Sequence, residues 1–163
     1  MAAAGTVLLR FARPSDAEAI AAVVNQAYEV EAPFVGGPRT SPAAVQALAE
    51  NGDFIVAEHD GRIVGTVFVE LDEEPGIGRF GMLAVVPDEQ ARGLGRELVE
   101  AAEARLIRLG CGEARIRVLD QRDELLEWYR RLGYEPYAEE PYPFPERMRV
   151  PVRFVLMRKQ LGG

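Results

Sequence analysis

Gln90-Ala91-Arg92-Gly93-Leu94-Gly95-Arg96 stands between the most strand-like run of the chain, Met82 to Val86, and its most regular helical pattern, Leu94 to Leu109. Two glycines one residue apart at such a handover let backbone N–H groups crowd toward one point with no side chains in the way. The helix behind them adds unpaired amides and the positive end of its dipole. The turn reads either as a phosphate cradle or as a tight packing turn. A Walker P-loop would need Lys and then Ser or Thr after the second glycine, where this chain has Arg96 and Glu97. A dinucleotide site would need its glycines in the first turn of an alternating βα chain, and here three antiparallel strands come first.

Those strands are read upstream of the turn. Phe54 to Glu58 and Arg62 to Leu71 are joined by Asp60-Gly61, a hairpin pair, and a turn at Glu74-Pro75-Gly76 leads into Gly78 to Val86. Further back, Val7 to Phe11 is a short strand. Arg13-Pro14-Ser15-Asp16 announces a helix to about Tyr28, with Ile20, Val23, Val24 and Ala27 on its buried face. Glu29 to Pro42 is broken by Pro and Gly into a loop, where Tyr28 and Phe34 either line a pocket or anchor the loop. Ala43 to Glu50 is a second helix, packing through Val45 and Leu48.

Downstream, Leu94, Leu98, Ala102, Leu106 and Leu109 hold one helical stripe. Glu113 to Leu119 alternates as a strand with Ala114, Ile116 and Val118 inward, and the strand–helix–strand order predicts that it runs parallel to its predecessor. Asp120 is suited to cap a helix whose inner face carries Leu125, Trp128, Tyr129 and Leu132, and Gly133 ends it. Tyr134 to Tyr137 is a strand, Glu139 to Glu146 a proline-rich loop, and Val152 to Met157 a last strand. The expected fold is α/β (α+β): a mixed, mostly antiparallel central sheet of about six to seven strands flanked by about four helices. No repeat or linker divides residues 1–163, so a single domain is expected.

Composition narrows the partners. With 26 acidic and 19 basic residues the net charge is −7, which argues against nucleic acid, whose phosphates call for a basic face. No apolar run approaches the about 20 residues that cross a bilayer, so no membrane span is expected. The opening Met-Ala-Ala-Ala-Gly lacks the pattern of a secretory signal. The one cysteine, Cys111, forms no internal disulfide and reads as a buried small hydrophobe; a reducing cytoplasm is the simplest home. The one histidine, His59, reads as loop decoration beside Asp60-Gly61, and no metal site is expected.

Three segments in order, Leu83-Ala84-Val85-Val86-Pro87, Gln90 to Leu98, and Tyr129-Arg130-Arg131-Leu132-Gly133-Tyr134, resemble the GNAT superfamily of acyl-CoA-dependent N-acetyltransferases over nearly the full chain. The resemblance implies a central cleft where the fourth and fifth strands splay. It implies acetyl-CoA as acyl donor: backbone around Leu83, Ala84 and Val85 along the pantetheine arm, Val118 and Leu119 opposite, and the amides from Ala91 through Arg92, Gly93, Leu94 and Gly95 to Arg96 at the pyrophosphate, with Gln90 and Arg92 at its edge. Arg92 and Arg96 read alternatively as solvated charge, Arg96 pairing with Glu97 or Glu100. Tyr129 matches the family tyrosine that protonates the departing thiolate, its other reading being a core residue.

Two departures from the family pattern stand out. Arg122 takes the place, seven residues before the tyrosine, where the family often has an Asn that contacts the cofactor. The fourth strand reads Gly78-Arg79-Phe80-Gly81 where several members carry a Glu as general base, so Glu70 and Asp72 at the end of the third strand, and Glu29 or Glu31 in the open loop, are the candidates, Glu70 first; each reads alternatively as plain surface charge. The segment from Pro141 to Pro151 resembles the family's variable acceptor-side region, where Tyr142 and Phe144 either shape the substrate pocket or pack the loop onto the core. The implied activity is acetyl transfer to the amine of a small molecule or peptide, by a monomer or homodimer; the alternative is a non-catalytic acyl-CoA-binding or interaction module on the same fold.

Overall fold

The computed structural model describes residues 6–162; the opening five residues, and with them the reading of that segment, lie outside the described residues. Among the described residues eleven regular elements follow in order: β1 (Leu8–Phe11), α1 (Ala17–Ala27), α2 (Pro42–Ala49), β2 (Gly52–His59), β3 (Arg62–Leu71), β4 (Ile77–Val85), α3 (Leu94–Arg108), β5 (Glu113–Leu119), α4 (Asp123–Arg131), β6 (Glu135–Pro141) and β7 (Arg153–Gln160). Short 3-10 turns at Pro14–Asp16, Tyr28–Glu31, Pro87–Arg92 and Pro145–Arg147 link them. The strands form one sheet in the order β1-β2-β3-β4-β5-β7-β6. It is antiparallel except at β4 and β5, which run parallel as the intervening helix requires.

Period-two alternation distributes the core to both faces. Phe54, Val56, Phe68 and Ala84 meet Ile20, Val24 and Val45 of α1 and α2, while Ile55, Val67, Val69, Val85, Ile116 and Met157 meet α3 and α4. Helices α1 and α2 pack against β2, β3 and β4. On that face the β5-β7-β6 half of the sheet is spanned by loops, and this is where the larger cleft opens.

The glycine turn is fixed from behind by α3. Leu94, Leu98, Ala102 and Leu106 are no more than 1% exposed, and each buried leucine contributes about 1.5–3 kcal/mol, so the start of the helix is held by its stripe. Leu109 leaves the stripe at 37% exposed, because the helix ends at Arg108 and Leu109 is its C-cap. Cys111 is buried, and burial pushes its thiol pKa up.

Three further expectations are corrected. Asp120 does not cap α4: its Oδ1 accepts the Arg153 N–H at 3.2 Å, its N–H donates to the Arg153 carbonyl at 3.0 Å, and Arg122 holds the cap position. Strand β6 continues to Pro141, through part of the stretch read as loop, because it is the outermost strand and its prolines need no second neighbour. His59 is no exposed decoration. Its side chain is 12% exposed, with Nδ1 2.9 Å from Oε1 of the buried Glu89, so the β2–β3 hairpin braces the Pro87–Arg92 turn.

Gly78 of β4 leaves room for α3: a Cβ there would meet Leu106, with Cγ and Cδ1 both at 3.0 Å. Gly78→Ala should therefore cost about 1–3 kcal/mol by overpacking. Urea unfolding measures this, and an unchanged midpoint would show that α3 shifts freely on the sheet.

Candidate active site

Strands β4 and β5 share only three residue pairs, Ile77 with Glu113, Gly78 with Ala114 and Arg79 with Arg115. Beyond them the strands part, and the β5-facing edge of β4 from Phe80 to Val85 has no ladder partner. On its other side β4 carries a bulge: Thr66 pairs with Ala84 and Phe68 with Gly81, so Val67 alone faces Met82 and Leu83. Met82 takes a left-handed φ of +51°, a conformation that costs a side-chain-bearing residue roughly 1–3 kcal/mol and clusters at functional sites.

Two clefts flank this gap, and Tyr28 lines both. The narrower, about 330 Å³, is bordered by Leu83, Ala84, Val85, Gln90, Gly93, Gly95, Arg96, Arg122, Trp128 and Tyr129. The wider, about 840 Å³, reaches across β5 and β7 beneath the Tyr28–Arg39 and Tyr142–Arg149 segments. They meet where Met82 lines one and Leu83 the other.

At the narrow cleft the first i→i−4 bond at the head of α3 runs from the Glu97 N–H to the Gly93 carbonyl at 3.2 Å, leaving the amides of Leu94, Gly95 and Arg96 ahead of it. Gly93 has φ +74° and caps the helix with no side chain. A Cβ at Gly93 would meet nothing within 4 Å, and one at Gly95 only the Trp128 ring edge at 3.6 Å. The helix thus presents bare, positively polarised amides to open space, a fit for an anion. Gln90 turns its Nε2 onto the Val85 carbonyl at 2.9 Å, pinning the corner where β4 enters the turn. Arg92 lies 3.5 Å from the buried Glu89, and Arg96 donates to Glu100 at 3.1 Å; both arginines are exposed, and the Arg96–Glu100 pair, exposed on both sides, yields readily to a stronger anionic partner.

Tyr129 projects from α4 into an aromatic cluster, its ring 5.0 Å from Trp128, 5.7 Å from Tyr134 and 6.2 Å from Phe80. Tyr134 is anchored in turn, its hydroxyl donating to Glu103 at 2.7 Å. Burial and then the neighbouring Tyr28 push the Tyr129 phenol well above its ordinary pKa, so it keeps its proton. Among the described residues no group accepts that proton.

Arg122, partly buried, and the buried Glu31 form a pair that ties the Tyr28–Glu31 turn to the head of α4, at 2.8 Å, and Arg122 also donates to Glu124 at 2.6 Å. The pair is lopsided. Arg122 stays charged because, against burial, it has two carboxylates to share. Glu31 has deep burial against a single bonded guanidinium, and its pKa is raised.

Of the remaining sequence candidates for base and substrate contact, all but Phe34 lie along the wide cleft. Tyr28, Tyr142 and Phe144 line it, whereas Phe34 does not: its backbone pairs with Arg149, and Val35 takes the lining place. Glu70 lines it as well but is held by Arg79 at 2.6 Å, with Asp72 3.5 Å away on the same guanidinium. The left-handed Met82 and the Glu31–Arg122 pair had no sequence signal of their own, since one is a backbone state and the other spans 91 positions.

A family model described as an acetyltransferase (GNAT) domain matches residues 50–136. Among solved structures, a Streptococcus mutans protein is 24% identical, covering 94% of this chain and 98% of that one, with a TM-score of 0.79. The ribosomal-protein-S18-alanine N-acetyltransferase of Escherichia coli is 17% identical over 97% of this chain and 96% of its own, with a TM-score of 0.75. A Salmonella typhimurium protein solved with its cofactor acetyl-CoA is 21% identical over 95% and 94%, with a TM-score of 0.72. At these identities the structural likenesses speak to fold.

Because burial raises the Glu31 pKa, the native state keeps that proton to higher pH than the unfolded chain does. Relative to Glu31→Gln, the parent chain should be favoured most below the ordinary carboxylate value of about 4.3 and should lose ground as pH rises through the native value. Urea unfolding of both chains across that range checks this; a parent chain that gains as pH rises would mean that Arg122 outweighs burial.

Proposed function

The chain belongs to the GNAT acetyltransferase family, and we propose that it transfers the acetyl group of acetyl-CoA to a primary amine by direct attack in one ternary complex. The observation that carries the reading is the meeting of two unlike clefts at the Met82–Leu83 bulge, one walled by bare helix amides and an unpaired strand edge, the other wide and charged. The narrow cleft fits acetyl-CoA: Leu94, Gly95 and Arg96 offer amides for a pyrophosphate, and the open edge of β4 offers backbone groups to an extended amide-bearing arm. When bound, acetyl-CoA supplies an acyl group activated as a thioester.

In this reading Leu83, Ala84 and Val85 align the donor, and an N–H of that edge polarises the reacting carbonyl. Gln90 acts by holding the strand-to-turn corner, and Arg92 and Arg96 release Glu89 and Glu100 to face phosphate. Tyr129, protonated and with no acceptor among the described residues, donates its proton to the leaving sulfur in this reading, which its raised pKa and its position on the narrow cleft support. Arg122 serves by fixing Glu31 and the head of α4.

The amine must shed a proton, since an alkyl ammonium near pKa ~10.4 is neutral only about once in 10³ molecules at pH 7. Of the carboxylates weighed from the sequence, Glu31 supports the acceptor role best, because burial raises its proton affinity beside Tyr28, which borders both clefts. Glu70, clamped by Arg79, acts in this reading by neutralising that arginine.

Free thiol released from acetyl-CoA in the presence of an amine panel measures the reaction. Tyr129→Phe should lower kcat by about 10²-fold or more while acetyl-CoA affinity stays within a few fold. Glu31→Gln should lower kcat/KM by at least about tenfold and Glu70→Gln by far less. Stabilisation by acetyl-CoA with no thiol released from any amine would favour the binding-module alternative, and unchanged turnover in Tyr129→Phe would remove its acid role.

A further inference from the structure

Six arginines, Arg39, Arg79, Arg115, Arg117, Arg147 and Arg149, line the wide cleft of a chain whose net charge is −7. Three are neutralised in place: Arg79 by Glu70 and Asp72, Arg115 by Glu113 and Glu74, and Arg117 by Glu140 at 2.7 Å. Among the described residues Arg39, Arg147 and Arg149 have no carboxylate within ion-pair distance.

The backbone gathers these three on one rim. The Gly36 N–H donates to the Arg147 carbonyl at 2.8 Å and the Arg149 N–H to the Phe34 carbonyl at 2.9 Å, zipping the two segments side by side. Arg147 Nη1 donates to the Pro38 carbonyl at 3.1 Å. The Arg149 head packs on Gly36, where a Cβ would lie 3.1 Å from its Nε. Arg39 belongs to the same loop and lies over the Tyr28 ring at 5.3 Å. Like charges gathered with no bonded carboxylate repel, Arg39 alone acting on Glu31 through space, and a chain with 26 acidic residues had ample means to pair them directly.

We propose that this rim receives an anionic group of the acceptor, so that the acceptor is a small amine that also bears a carboxylate or phosphonate. The inference rests on the acetyl-transfer reading for its word acceptor, but the anion site stands on the arginines alone. Guanidinium groups match such oxyanions with paired N–H donors, and Tyr28, Tyr142 and Phe144 line the same cleft and give the body of the molecule an aromatic wall. A polyamine would bring cations to a rim of three guanidiniums that no carboxylate bonds, although Glu29 and Glu31 line the same cleft and Arg39 acts on Glu31 through space, and a plain alkylamine would leave the rim unmatched.

Calorimetric titration of the CoA-saturated chain with L-amino acids and aminoalkylphosphonates, each paired with the amide or plain amine that lacks the anion, tests this. The anionic member of each binding pair should bind at least about tenfold tighter, and Arg147→Gln with Arg149→Gln should cut that preference below about twofold. Thermal stabilisation by CoA should be unchanged in the double variant. Equal or tighter binding of the neutral members or of spermidine, a preference that survives the double variant, or binding by no anionic member would overturn the proposal. Thiol release from acetyl-CoA in the same panel separates the two readings: anion-dependent binding without release retains the rim and removes transfer, whereas release with neutral amines alone retains transfer and removes the rim.

Discussion

The parting of β4 from β5 after three residue pairs is the constraint from which the rest follows. Two parallel strands that keep their ladder need nothing more, but strands that separate leave backbone donors and acceptors facing a gap, and buried polar backbone must find a partner. The gap stays open because both strands are anchored elsewhere: β4 by β3 and the leucines of α3, β5 by a full antiparallel ladder with β7. Helix α4 closes the far wall through the Trp128, Tyr129, Tyr134 and Phe80 rings. A backbone edge held in want of a partner is fixed in place before anything meets it, and the left-handed Met82 beside it is a local cost that the fold tolerates.

Charge is distributed with the same economy. Acidic overall, the chain concentrates arginine along its wide cleft and pairs half of those side chains internally. The Glu31–Arg122 pair is of another kind, joining two distant segments at the boundary between clefts. Such pairs contribute less to stability than to fixing which segments meet, since desolvation offsets much of their attraction. Here the segments are the turn carrying Tyr28 and the helix carrying Tyr129.

Most of the fold was legible because each element repeats a pattern that tertiary packing then uses. Strands Arg62–Leu71 and Glu113–Leu119 coincide with their sequence reading, and the α3 stripe holds from Leu94 to Leu106. Misreadings arose where a residue's partner lies far along the chain. Asp120 looked like a cap because its preference is local, and Arg153 claimed it; His59 looked exposed because Glu89 lies thirty positions on. Proline counted against strand in β6 because sequence does not disclose which strand stands at the edge. For the candidate site, motif singled out the glycine turn and Tyr129, which border one cleft, whereas the state of Glu70 depended on Arg79 across the β3–β4 ladder, and the arginine rim on loops that only folding brings together.

The outermost strand has a consequence of its own. β6 ends the sheet, and an unpaired edge is a template on which another chain can add. Pro136 and Pro141 place gaps in its row of donors, and Glu135, Glu139 and Glu140 add negative charge along it. At the opposite end β1 is only four residues long. A fold that leaves the β4 edge open in its interior thus guards the two edges at its margins, β6 with proline and negative charge and β1 by its shortness.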